Sequence, residues 1–201
     1  MIQRKKQPQL TRKTILEAAG GEFARVGYAA TAIGSVVARA ALTKGALFHH
    51  FPDKRSLAKA WIEEELASEM AALWLTPLAN ADSLEDLRNL CRLRFSEFTV
   101  DDATSALTAV AAEIPASDDM LGMSLEALFE AWRTAIAELL DRGKNAGWIH
   151  RSIKPAAEAA FLVALIAGVT VTAKFSRNAA TRRACLDSLE DYLNTLRNQP
   201  S

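Results

Sequence analysis

Apolar residues recur at helical spacing through almost the whole chain. Leu16, Ala19, Phe23 and Val26 step by 3, 4 and 3 along one face, which stops at Gly27, a natural left-handed cap. Thr31 then reads as the N-cap of a short helix carrying Ile33, Val36 and Val37. Thr43 reads as a second N-cap, opening a run that Phe51-Pro52-Asp53 breaks. Asp53 caps a longer helix, whose stripe of Ile62, Leu66, Met70 and Leu73 is expected to end at Pro77. Five further helices are expected at about 83–99, 103–114, 118–146, 155–177 and 180–197, with Pro115 and Gly147 as stops. No alternating strand pattern with hairpin turns occurs, and no repeat or low-complexity segment. The expected fold class is all-α, with about nine helices.

Charge changes this picture. The net charge over 201 residues is zero, but the distribution is lopsided. Residues 1–59 hold eleven Lys and Arg against Glu17, Glu22 and Asp53, a balance of +8, and the remainder carries −8. A basic head on an acidic body points to a polyanionic partner for the first sixty or so residues. The most apolar stretch, 156–173, is interrupted by Glu158, Gly168, Thr170 and Thr172, so a buried helix is expected there and no membrane partner. The basic N-terminus has no apolar run after it to make a signal peptide. Cys91 and Cys185 are far apart and lack metal-ligand spacing, which suits free thiols in a reducing cytoplasm.

Three short helices within about fifty residues, the last two almost adjacent, make a helix-turn-helix over about 32–51. The second helix of the pair begins Thr43-Lys44-Gly45-Ala46 and ends Phe48-His49-His50-Phe51. Gly45 in a first turn weakens a helix by about 1 kcal/mol relative to Ala. It also strips away side-chain bulk where the helix N-terminus, with its free N–H groups, approaches a phosphate backbone. Lys44 is then placed for a guanine edge or a phosphate, and His49 and His50 for phosphate oxygens. Adjacent helical residues diverge by about 100°, so the two histidines cannot chelate one metal, and no metal or cofactor is expected.

From about Thr11 to Glu63 the sequence resembles the DNA-binding domain of the TetR family of bacterial repressors. The resemblance runs from Thr14 to Tyr28, with Phe23 and Gly27 in place, and through Thr31, the segment 43–51, Lys54 and Leu57. It implies an N-terminal DNA-binding domain over 1–55 and an effector-binding and dimerisation domain over 56–201. It also implies a homodimer on double-stranded operator DNA, released by a small molecule. The implied DNA contacts are Lys44 and Ala46 near the bases, and Thr31, Thr43, His49 and Lys54 on the backbone, with Gly45 and Phe48 beside them. The sequence departs from the family at Ala41, where Gly is common in the turn, at Phe48, where Tyr is usual, and at Gly20-Gly21 inside the first helix. Arg4-Lys5-Lys6 reads either as a minor-groove arm or as a solvated tail.

For the body, the resemblance implies an apolar effector pocket, and Trp74, Phe95, Phe98, Met123, Phe129, Trp132 and Phe161 are its candidate lining. Glu113, Thr170 and Arg133 are candidates for orienting the ligand. The two last helices are apolar on more than one face, so a twofold mate is expected to cover them. Leu165, Val169, Leu189, Leu193 and Leu196 are the candidate dimer interface, with Ala164, Ala167 and Gly168 allowing close approach. Cys91 reads as a small core residue rather than a redox sensor. No phosphate loop, nucleophile elbow or metal spacing suggests an enzyme. The alternative function is an effector-independent architectural DNA-binding protein.

Overall fold

The computed structural model describes residues 8–96, 103–115, 117–175 and 179–198. Among them the chain forms nine helices and no strand. They are α1 (Pro8–Val26), α2 (Ile33–Arg39), α3 (Lys44–His50), α4 (residues 54–80), α5 (Leu84–Ser96), α6 (Ala103–Glu113), α7 (Asp119–Ala146), α8 (Pro155–Phe175) and α9 (Ala179–Thr195). Helix α4 is composite, with two π-helical segments, Ile62–Leu66 and Ala71–Leu75, set between α-helical ones. Pro77 does not stop it. The wider turn just before lets Pro77 take a first-turn position in the closing segment Thr76–Asn80, where a missing N–H costs little.

The described residues fall into two compact units. One runs to Ser68 and includes Ala109–Leu125; the other comprises Glu69–Thr108 and the residues from Glu126 onward. Packing therefore draws the units differently from a division after residue 55, because residues 56–68 and the α6–α7 turn join the first unit.

In the first unit, α1 buries Ile15, Leu16, Ala19 and Phe23 and packs against α2, α3 and α4, whose buried residues include Val36, Leu47, Leu57 and Trp61. Phe23 sits edge-on to both Tyr28, at 5.6 Å, and Trp61, at 5.2 Å. The glycine pair in α1 has a packing reason. A Cβ on Gly20 would lie 2.4 Å from the indole nitrogen of Trp61, and one on Gly21 2.5 Å from the Arg39 guanidinium. Arg39 and Arg25 pair with the buried Glu22, and the Arg25 hydrogen bond does most to hold that carboxyl down at about 2.

Ala41 is in the left-handed region at φ 52°, the only non-glycine residue so placed among the described residues. An L-residue there costs roughly 1–2 kcal/mol, partly offset because Gly would loosen the unfolded chain. Replacing Ala41 by Gly is therefore expected to stabilise the fold by ~0.5–1 kcal/mol, a rise of about 1–4 °C in a thermal melt. An unchanged or lower midpoint would show that the turn carries no strain.

In the second unit, Arg142 of α7 donates to the carbonyls of Leu78 and Ala81 at 2.8 and 3.1 Å, closing the C-terminal end of α4. Arg92 of α5 grips Glu190 of α9 through two hydrogen bonds of 2.5 and 2.7 Å. Cys91 is buried, and desolvation pushes its thiol up to about 12, with the Glu190 charge adding to the effect. A core role, not a reactive one, follows.

Helix α8 is long and apolar enough to cross a membrane by length and composition, as the core helix of a globular protein can also be. It is not the wholly buried helix expected from sequence, since only 28% of Pro155–Thr172 is buried within the chain. Ala159, Leu162, Val163, Ile166 and Val169 face the core, while Ala157, Ala160, Phe161, Ala164, Gly168 and Val171 face outward. Val169, Leu189, Leu193 and Leu196 are buried in their own chain, and Leu165 is half-buried, so the exposed apolar face is the small-residue one.

Candidate nucleic-acid interface

Helix α3 is held from beneath by one side chain. Leu47 is fully buried, and Thr43, the N-cap, accepts a hydrogen bond from the Ala46 amide at 3.2 Å. This fixes which way the remaining residues point. Lys44, Gly45, Phe48 and His49 are exposed and Ala46 is half-buried, so one face of α3 presents a cation, a ring and an imidazole to solvent. Phe48 is 47% exposed, which leaves its ring edge available on the same face as Lys44. The turn from α2 is set by the Ala41 amide donating to Ala38 and the Leu42 amide to Val37. His50 is half-buried, and burial, then the His49 and Arg12 charges, holds it below the usual imidazole range.

Two of the expected backbone contacts are otherwise engaged. Thr31 is not the N-cap of α2; Ala32 is, without any side-chain bond. The Thr31 hydroxyl is buried and donates to the Gly27 carbonyl at 2.6 Å, so it closes the end of α1. Lys54 donates to the Ala29 carbonyl at 2.9 Å and lies over the Tyr28 ring at 4.7 Å. Its desolvation lowers the ammonium pKa, against the pull of Glu113. The lysine clamps the α1–α2 connection to the start of α4.

The α6–α7 turn completes this corner of the unit. Glu113 accepts from the Ala29 amide at 2.6 Å and reaches the place where a Cβ on Gly27, at φ +86°, would stand. Asp118 accepts from Arg55 at 2.9 and 2.5 Å, and that pairing lowers its pKa while also capping Leu121. Arg55, Glu113 and Asp118 were missed as a group because the partners are more than 60 positions apart and nothing local marks them. Glu113 thus serves the first unit and does not orient a ligand in the second.

The candidate pocket residues do not form one cluster. Trp74 and Trp132 touch, with ring centroids 4.8 Å apart, and Phe95 is buried. Phe129 is half-buried. Met123 is 74% exposed and belongs to the first unit, and Phe161 is 49% exposed, edge-on to Tyr192. Arg133 binds Glu130 and Glu126 on the surface, and Thr170 donates to its own helix at Ile166. Phe98 and the Arg4-Lys5-Lys6 segment lie outside the described residues.

Residues 15–61, which hold this helix-turn-helix, match the model for bacterial regulatory proteins of the tetR family. Residues 83–198 match that of the BetI-type transcriptional repressor C-terminal domain. The chain belongs to the TetR family. Its members are transcriptional regulators, soluble DNA-binding proteins that bind small molecules and are typically dimers, and they are not enzymes. The TetR-family chain is 24% identical over 168 residues to the HTH-type transcriptional repressor DhaR of Mycobacterium sp. (strain GP1), covering 83% of this chain and 84% of that one. It is 26% identical over 180 residues to the A-factor receptor protein of Streptomyces griseus, covering 86% of this chain but only 58% of the receptor. Its fold superposes on a TetR-family regulator from Cytophaga hutchinsonii with a TM-score of 0.86, at 16% identity, over 98% and 100% of the two chains.

Proposed function

We propose that this TetR-family protein is a repressor that binds a palindromic operator as a homodimer and releases it when a small, largely apolar effector occupies the second unit. The observation that carries the reading is the outward face of α3, anchored by Leu47 and bearing Lys44, Gly45, Phe48 and His49. Lys44 and Ala46 read bases, Phe48 meets thymine methyl groups, and Thr43 and His49 meet phosphates. Lys54 holds the connection behind α3 in place, and Thr31 makes no DNA contact. The outward apolar face of α8 supports a twofold partner, since a second copy would cover Phe161 and Val171 while Ala160, Ala164 and Gly168 admit close approach.

Effector and DNA are coupled by linkage: a ligand favouring an arrangement that DNA disfavours lowers DNA affinity, and DNA lowers ligand affinity equally, with a coupling of ~1–3 kcal/mol. Helices α4, α6 and α7 each contain residues of both units and are the covalent route for that coupling. Selection from a random DNA library should enrich an inverted repeat whose half-sites lie about 34–36 Å apart. Lys44→Ala should then bind that repeat more weakly by about 1–3 kcal/mol and relax the preference at one base pair of each half. Enrichment of sequences without twofold symmetry would favour the architectural alternative instead.

A further inference from the structure

Within the second unit, the buried polar side chains among the described residues are few, and nearly all are accounted for. The Thr108 hydroxyl donates to the Thr104 carbonyl and the Thr170 hydroxyl to that of Ile166, each within its own helix. The indole N–H of Trp74 donates to the Thr104 hydroxyl at 2.8 Å. Its neighbour does not match it. Trp132 is completely buried, its ring centroid is 4.8 Å from that of Trp74, and its indole Nε1 has no hydrogen-bond partner among the described residues.

An indole N–H can only donate, so nothing but an acceptor satisfies it. A buried donor left without one bears its full desolvation cost. Replacing Trp132 with an aromatic residue lacking the donor would avoid that cost, so the chain carries a liability here that packing alone does not require. The indole pair meets each other's rings and the Thr104 hydroxyl, whereas the guanidinium of Arg88, whose Nε is also buried in this unit, is engaged by Glu85 and Asn194. A charged guest lying against the two rings would therefore lack a counterion there.

We propose that Trp132 is the orienting donor of the effector site, and that the effector is a neutral, mainly apolar molecule carrying a carbonyl-type acceptor oxygen. Its oxygen takes the Trp132 N–H, and its apolar body lies against the paired Trp74 and Trp132 rings. This rests on reading the second unit as the effector-binding part, and it adds the chemical class and the residue that selects it.

The test uses three eight-carbon probes: methyl hexyl ketone, octane and octanoate. The chain has four tryptophans, so the nitrogen-15-labelled protein gives four indole cross-peaks, with that of Trp132 identified by its proximity to the Trp74 ring. Methyl hexyl ketone should move the Trp132 indole proton downfield to saturation. Trp132→Phe, which keeps a ring and loses the donor, should bind the ketone about tenfold more weakly. Octane should bind both proteins alike, and octanoate neither. A Trp132 peak that stays in place, equal ketone affinity for Trp132→Phe, or octanoate binding as well as the ketone would overturn the proposal. The peak shift is read on the unaltered protein, so it stands even where the variant folds poorly. Release of DNA is measured separately. A ketone that shifts Trp132 but leaves operator affinity unchanged ends the regulatory reading and keeps this one, and release without the shift does the reverse.

Discussion

Replacing Ala164 by Arg is expected to leave the chain folded and convert a dimer into a monomer. Ala164 is exposed on the outward face of α8, so in a single chain the new guanidinium reaches solvent without displacing anything. Across a twofold interface the same position approaches its own mate, and two cations would be buried in an apolar, small-residue seam. DNA binding should fall with it, because two linked half-site contacts become two independent ones. The loss of avidity is on the order of a hundredfold or more. Sedimentation at micromolar concentration reads the first effect and a titration of the selected operator the second. Leu189→Ala is the contrasting variant. Leu189 is 2% exposed within its own chain, so its truncation should lower stability by about 2–5 kcal/mol and leave the association state unchanged. An Ala164→Arg protein that still sediments as a dimer would place the interface elsewhere.

Leu47→Ala should abolish binding to every DNA sequence alike, although Leu47 itself touches no DNA. Helix α3 has only seven residues, too short to hold its shape without packing, and Leu47 is its buried anchor, at 0% exposure. Removing the side chain leaves a cavity under α3 and costs about 2–5 kcal/mol, enough to lower the thermal midpoint by roughly 4–20 °C. Lys44 and His49 would then be presented by a helix that no longer stays formed. Leu47→Met conserves the volume and should cost less than about 1.5 kcal/mol, keeping most of the DNA affinity. If Leu47→Ala melted like the unaltered protein, the anchor would have to be another residue.

The helical content was legible because each helix announces itself locally, through a stripe at spacing 3 and 4, a cap such as Thr43 or Asp53, and a stop such as Gly27. At Ala41 only the resemblance marked a turn, as a place where Gly is common, and the structure supplied its left-handed φ of 52°. Where a local rule met a neighbour, it failed. Pro77 reads as a stop, but a π-helical turn before it removes the conflict. Thr31 reads as a cap, but the Gly27 carbonyl claims its hydroxyl first.

By itself, then, the sequence determined an all-helical chain with a basic head, and a short helix opened by Thr43 in a helix-turn-helix pattern; the burial of Leu47 decided which residues of that helix are exposed. Periodicity and charge are properties of neighbours along the chain, and they survive without knowledge of the fold. Only the tertiary structure decided which of two apolar faces of α8 is turned outward, because both faces satisfy the same periodic pattern. It alone joined Arg55 to Asp118 and the Ala29 amide to Glu113, and left Trp132 with a donor and no acceptor among the described residues. Those pairings, and that missing one, depend on distances through space between residues far apart in sequence, on which no local preference bears.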